Sequence, residues 1–236
     1  MIKGMYFIAQ NLGYKEKNMQ IVANNLANIN TTGFKRELPF VEIMTRIADA
    51  PVKQLTDLAQ GNLIQTSNPL DLAVSGQGYF TVQNERGGLE YTRNGRFRIS
   101  DDGFLVNEEG QKVMGKSGEI DLNDYSFEQQ QSITITKNGE IKIGENVVDE
   151  LLISRLGDPS KMMRQNGLNF ADTEGRAPEA GEGTYEIQQG YLEESNTNPI
   201  IEMQSMIELG KDFETAQKMM NYLDESLGKA TEIGKV

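Results

Sequence analysis

Apolar residues recur every seven positions near both ends of this chain, and that period restricts what it can fold into. Met5, Leu12, Met19 and Leu26 form one register, and Ile8, Lys15, Val22 and Ile29 form a second, offset by three. Such an a/d pattern belongs to a helix that buries one narrow seam against another helix. A helix from about Gly4 to Ile29 would be about 39 Å long at 1.5 Å per residue. Towards the other end, Met206, Phe213, Met220 and Leu227 form one register and Leu209, Ala216, Leu223 and Ala230 the other. Pro199 suits the first turn of that second helix, and Asn196 or Asn198 can cap it. Glu194 and Glu202 stand near its start, where the helix dipole favours acids. Gly210 inside it costs about 1 kcal/mol relative to Ala.

Ordinary amphipathic helices lying on one globular core also show apolar stripes. The strict seven-residue period and the narrow seam favour a different arrangement. In it the two ends pair with each other and with neighbouring subunits. Methionine recurs at seam positions (Met5, Met19, Met206 and Met220), which suits an adaptable packing surface rather than a metal site.

Between the ends the pattern changes. From Tyr79 to about Leu192 the chain carries short alternating runs separated by glycine turns. GRFRIS (95–100) and FLVN (104–107) flank Asp102-Gly103, and SITIT (132–136) and EIKI (140–143) flank Asn138-Gly139. Both are hairpin signals. YFTVQ (79–83) and VVDELLISRL (147–156) read as further strands. No helical stretch separates them, so the sheet is expected to be mainly antiparallel. The fold class is therefore α+β, with N- and C-terminal coiled-coil-like helices packed together and a central, mainly antiparallel β domain. The expected boundaries are 1–36 for the first helix, 37–75 for an extended connector, 76–192 for the β domain and 193–236 for the second helix. The connector segment Pro39–Ala73 mixes a possible short helix with extended chain, and GRAPEAGEG (175–183) reads as an exposed loop.

Composition narrows the chemistry. His, Cys and Trp are all absent from the 236 residues. The commonest general base, the commonest transition-metal ligand and all thiol chemistry are thereby excluded. A net charge of −12 repels phosphate backbones and anionic headgroups, so neither nucleic-acid nor direct lipid binding is expected. The opening MIKGMYFIAQNLGYKEKN lacks the continuous apolar core of a secretory signal, and no run is long enough to span a membrane. No catalytic, cofactor-binding or metal site is expected. The segment GQKVMGKS (110–117) satisfies the phosphate-loop pattern, but a strand-like KVM and the following Gly118 and EIDL deny it the required helix. Ser75-Gly76-Gln77-Gly78 lacks the third glycine of a dinucleotide fingerprint, and Asn30-Thr31-Thr32 is a glycosylation sequon in form only. Asp101-Asp102 and the acidic stretch 119–128 read as solvated turns.

One segment resists a simple helical reading. NNLANINTTGFKRE (24–37) places Asn24, Asn25, Asn28 and Asn30 around Leu26 and Ile29, although Asn is a poor helix former. Short amides there can bond neighbouring backbones as the helix ends. Thr32, Gly33 and Phe34 then mark the junction with the β domain, with Gly33 able to take a positive φ.

That segment closely resembles the signature of bacterial flagellar rod and hook proteins. QGNLIQTSNPLDLAVSGQGYFTV (60–82), EYTRNGRFRISDDGFLVNEEGQKVMG (90–115), QQGYLEESNTNPIIEMQSMI (188–207) and the C-terminal heptads with Phe213-Glu214 follow in the family's order. The resemblance implies an axial structural protein of the basal body. Such proteins are exported by the flagellar type III apparatus without a cleaved signal and polymerise helically into the periplasmic rod. Their partners are copies of themselves and other rod and hook-family proteins. Their terminal helices form an inner layer around a channel, with the β domain outside. The compact span from Phe34 to Gln60, together with YTRNGRF and VMGKSGEI, looks more like the proximal than the distal rod protein. The implied assembly interface comprises Met5, Ile8, Leu12, Met19, Val22, Leu26 and Ile29, with Met206, Leu209, Phe213, Ala216, Met220, Leu223 and Leu227. The competing readings are the distal rod protein and a cytosolic β-domain binding module dimerised by its helical ends.

Overall fold

The computed structural model describes residues 2–38, 55–122, 133–156, 162–165, 167–172, 175, 177–181 and 183–233. The middle of the connector (39–54), the far part of the acidic stretch (123–128), Ser132 and two positions of the 175–183 loop lie outside the described residues. The chain divides into two units. One comprises residues 1–28, 37–57 and 197–236, and the other residues 29–36 and 58–196. The chain therefore crosses between units at 28/29, 36/37, 57/58 and 196/197.

The first unit is built on two helices, α1 (Ile2–Ala27) and α2 (Pro199–Ile233). They lie side by side and antiparallel: Asn25 reaches Glu202, and ten residues earlier Lys15 reaches Asp212, ten residues later. Strands Glu37–Leu38 and Leu55–Thr56 pair antiparallel in the same unit. Helix α1 stops two residues short of the expected Ile29. The Asn28 amide bonds back to the carbonyls of Asn24 and Asn25 at 3.2 Å, closing the last turn there. At the start of α2, Asn198 Oδ1 accepts from the Ile200 and Ile201 amides at 3.0 and 3.4 Å. Asn198 is thus the cap, and Asn196 serves elsewhere.

In the second unit, every strand pairing among the described residues is antiparallel. The largest sheet runs in the order Met162–Gln165, Asn169–Asp172, Leu89–Thr92, Tyr79–Gln83, Lys112–Val113, Leu105–Asn107, Phe97–Ile99. Both expected hairpins form, with Gly103 and Gly139 at positive φ in their turns. The run 147–156 divides instead of forming one strand. Asn146–Glu150 joins Glu140–Ile143, and Ile153–Ser154 joins Tyr79–Gln83. Strand Leu72–Gly76 pairs with Tyr185–Gln189, and Leu63–Gln65 pairs with Tyr191–Glu193.

Tyr79–Gln83 shows why the core is thick. Tyr79 through Val82 are all buried, not merely every second residue. Phe80 and Val82 enter a large cluster with Leu72, Phe97, Val113 and Ile153. Tyr79 enters a smaller one on the other face, with Tyr91 and Phe170. The Phe80 ring meets Phe97 edge-on at 5.0 Å. Phe80→Ala is expected to destabilise this unit by about 3–5 kcal/mol through the cavity it leaves. Denaturant unfolding followed by tyrosine fluorescence measures this, since the chain has no Trp.

Candidate assembly site

The expected seam residues share one face of each helix. Along α1, Met5, Ile8, Leu12, Lys15, Met19, Val22 and Leu26 are buried or half-buried, whereas most intervening positions are exposed. Along α2 the same holds for Met206, Leu209, Phe213, Ala216, Met220, Leu223 and Leu227. Only Val22 of these is fully buried. The two helices thus shield each other's seam only in part. Lys15, the polar member of the pattern, is paired with Asp212. Ile29 lies beyond the helix, in the other unit.

The asparagines next to the seam have partners in their own chain. Asn25 is fully buried, and its amide pairs both ways with the Glu37 backbone. Nδ2 donates to the Glu37 carbonyl at 2.8 Å, and Oδ1 accepts from the Glu37 amide at 2.9 Å. The side chain stands in for a strand neighbour, and Nδ2 also reaches Glu202 at 3.3 Å. Asn24 Nδ2 meets the Glu37 carboxylate at 3.4 Å, and Asn28 Nδ2 donates to the Asn24 carbonyl at 2.9 Å.

The rest of the signature belongs to the second unit, where a buried charge cluster holds it. Glu193 is fully buried and accepts from Lys35 Nζ at 2.6 Å on Oε1 and from Arg93 at 3.0 Å on Oε2. The Gly61 amide adds a third donor at 2.9 Å. Lys35 also donates to the Ala59 carbonyl at 2.7 Å, and Arg93 to the carbonyls of Val74 and Gly76. Asn196 completes the set. Its Oδ1 accepts from the Arg36 amide at 2.7 Å and its Nδ2 donates to the Ala59 carbonyl at 3.0 Å. Segments 34–36, 59–61 and 193–196 are thereby tied together close to three of the crossings. Gly33 has φ +70° and donates to the Glu193 carbonyl at 2.8 Å; a Cβ there would collide with the Arg93–Asn94 backbone. Thr32 donates to Asn94 at 2.9 Å, and Phe34 is buried beneath the guanidinium of Arg164.

Two other polar features have the look of sites. At the phosphate-loop look-alike, Lys112–Val113 is a strand, and Lys116 pairs with Glu150 at 2.6 Å. The hydrogen bond to Glu150 raises the Lys116 pKa. A bridge from Met114 to Glu119 follows rather than a helix, so no phosphate cradle exists there. A second group surrounds the buried Glu90 carboxylate, which accepts from Asn84, Gln111 and Asn169, each at 2.9 Å. Burial works against its charge, but these amide donors outweigh burial and hold its pKa below the ordinary value. Nearby Glu109 is raised by burial and by the charges of Glu90 and Glu108. Among the described residues, no three acids converge as metal ligands would.

Glu193→Gln removes the anion and leaves two buried cations, so it is expected to cost about 3 kcal/mol or more in an unfolding titration. A raised carboxyl pKa stabilises the fold below that pKa and loses the contribution as pH rises through it. Glu109→Gln, which mimics the protonated form, is therefore expected to raise the melting temperature near about pH 7. The difference from the parent protein should vanish below about pH 4.

Comparison with known proteins follows this layout. The model described as "Flagella basal body rod protein" matches residues 15–35, which span the second half of α1 and the segment through Lys35. The "Flagellar hook protein FlgE/F/G D1 domain" model matches residues 73–143, and the "Flagellar basal body rod FlgEFG protein C-terminal" model matches 188–233. The flagellar basal-body rod protein FlgF of Caulobacter vibrioides is 33% identical, with 93% of each chain covered. FlgG of Buchnera aphidicola subsp. Schizaphis graminum is 29% identical over 99% of this chain and 100% of its own. FlgG of Agrobacterium fabrum is 28% identical over 95% and 96%. Similarity that runs almost end to end, through the helices, the charge-clasped signature and the β unit alike, makes this chain a member of the flagellar basal-body rod protein family.

Proposed function

We propose that the protein is a subunit of the flagellar rod that polymerises helically through α1 and α2 and carries torque as part of the drive shaft. A proximal position is favoured over a distal one by the compact span between Phe34 and Gln60. The role is mechanical rather than catalytic, with the rod's periplasmic segment as its place of work. Its partners are copies of itself and other axial proteins. The flagellar type III apparatus exports it without a cleaved signal.

The observation that carries this reading is the half-buried seam. A two-helix pair buries only a narrow stripe, and nearly all seam residues keep part of their surface in water. Neighbouring subunits in a polymer remove the rest, and coiled-coil packing of the seam is part of the proposal. Head-to-tail contacts that do not close generate an open helical filament. In dilute monomer the helices are expected to fray, since a narrow seam offsets little of the ordering entropy. Frayed ends would also suit passage through a narrow export channel.

Charge placed in the seam tests the reading. Leu26→Asp or Leu223→Lys is expected to abolish polymers in electron micrographs of concentrated protein while leaving the tyrosine signal of the β unit unchanged. A strain lacking the protein should show basal bodies with an incomplete rod. A closed dimer of the parent protein at every concentration would favour the binding-module reading instead.

A further inference from the structure

In an Asn-Gly pair the asparagine side chain closes easily on the next backbone amide, because glycine puts no Cβ in its way. The chain has three such pairs, Asn94-Gly95, Asn138-Gly139 and Asn166-Gly167. The first two lie wholly within the described residues, and their surroundings are opposite. Asn94 is 6% exposed. Its Oδ1 accepts from Thr32 Oγ1 at 2.9 Å and from the Arg96 amide at 3.2 Å, and its Nδ2 donates to Glu108 at 3.3 Å. Asn138 is exposed, and among the described residues its side-chain amide has no hydrogen-bond partner. With Glu140, Glu150 and Tyr185 it lines a polar cavity of about 340 Å³, so water reaches it.

Asn138 sits at the tip of the hairpin between Ile133–Ile135 and Glu140–Ile143. The Gly139 amide donates to the Thr136 carbonyl at 2.9 Å, and the Thr136 amide to the Glu140 carbonyl at 3.0 Å. With Gly139 at φ +97°, this is a three-residue loop closed by a glycine bulge. One hydrogen bond, that of the Gly139 amide, has to open before its nitrogen can react. Two other segments hang on the same turn. The Lys137 carbonyl accepts from the Ile187 amide and the Gly139 carbonyl from the Leu151 amide, both at 2.8 Å. Both of those side chains belong to the large core cluster.

We propose that Asn138 is a self-modification site, converted without an enzyme to aspartate and isoaspartate, with water as the only co-reactant. The Gly139 nitrogen bonds to Asn138 Cγ and gives up its proton. The Cγ–Nδ2 bond breaks, and the side-chain nitrogen leaves as ammonia. Water then opens the five-membered imide. Cleavage of its bond to Cγ gives aspartate. Cleavage of its bond to the main-chain carbonyl carbon gives isoaspartate, with one extra methylene in the backbone. That methylene falls between the Lys137 and Gly139 carbonyls, so the bonds to Ile187 and Leu151 cannot both keep their register. Aspartate adds only a negative charge beside Glu140 and Glu150. The turn therefore records the age of a subunit, and the isoaspartyl form loosens the sheet at its tip.

The test is to hold the full-length protein in mildly alkaline buffer at physiological temperature and follow it by peptide mass mapping and by methylation with an isoaspartate-specific methyltransferase. The peptide carrying Asn138 is expected to gain about one dalton and to accept methyl groups. Its rate should rise with pH, because the attacking amide must lose its proton. The peptide carrying Asn94 should convert at least about tenfold more slowly, since three side-chain hydrogen bonds must open first. Asn138→Ser should remove both signals from this peptide. The isoaspartyl fraction should melt at a lower temperature than Asn138→Asp, which carries the charge without the methylene. An Asn138 peptide that stays unconverted in the protein, while the same sequence as a free peptide converts, would overturn the assignment. Equal rates at Asn94 and Asn138 would also overturn it. An isoaspartyl fraction that melts with Asn138→Asp would overturn the loss of register.

Discussion

Two cations from distant parts of the chain converge on one buried carboxylate, and three segments of the β unit are held together by it. Lys35 and Arg93 stand 158 and 100 residues from Glu193 in sequence, yet each bonds one of its oxygens. Removing three charges from water costs several kcal/mol each, and only good geometry and full hydrogen bonding return that cost. Here the Gly61 amide and the carbonyls of Ala59, Val74 and Gly76 complete the shell. A cluster of this kind adds little net stability over an apolar core, but it tolerates few alternative arrangements. It therefore fixes which segments lie together where the chain leaves the β unit.

The helices are held by the opposite kind of force. Their seam is apolar, adaptable in its methionines, and shared between two narrow stripes. Nothing in it demands that burial be complete in a single molecule. Asn25 is the exception: its amide closes on the Glu37 backbone and fixes one end of α1. A subunit with one rigidly specified unit and one incompletely buried helix pair is suited to joining others.

Legibility in the sequence followed the range of the signals. The heptads are local and periodic, so the less exposed stripe of α1 and of α2 is readable, and Asp102-Gly103 and Asn138-Gly139 announce their hairpins. Ile29 was over-read because the period continues past the point where Asn28 turns the chain. The asparagines read as ligands of neighbouring backbones, but the sequence does not say which backbone. Finding Glu37 in the same chain requires knowing that the chain doubles back after Gly33. Lys35, Arg93 and Glu193 gave no signal, since a lone charge in a strand looks like any solvated residue until its partners are brought to it.

The proposed assembly requires that the helices be completed by neighbouring subunits while the charge cluster of the β unit is already complete in the single subunit. Hydrogen exchange, compared between dilute monomer and sedimented polymer, measures both at once. Amides of α1 and α2 are predicted to exchange quickly in the monomer and to become protected on assembly. Amides bonded within the junction, such as those of Gly33 and Arg36, are predicted to be protected in both states. Full protection of both helices in the monomer, or a junction that becomes protected only in the polymer, would contradict the account.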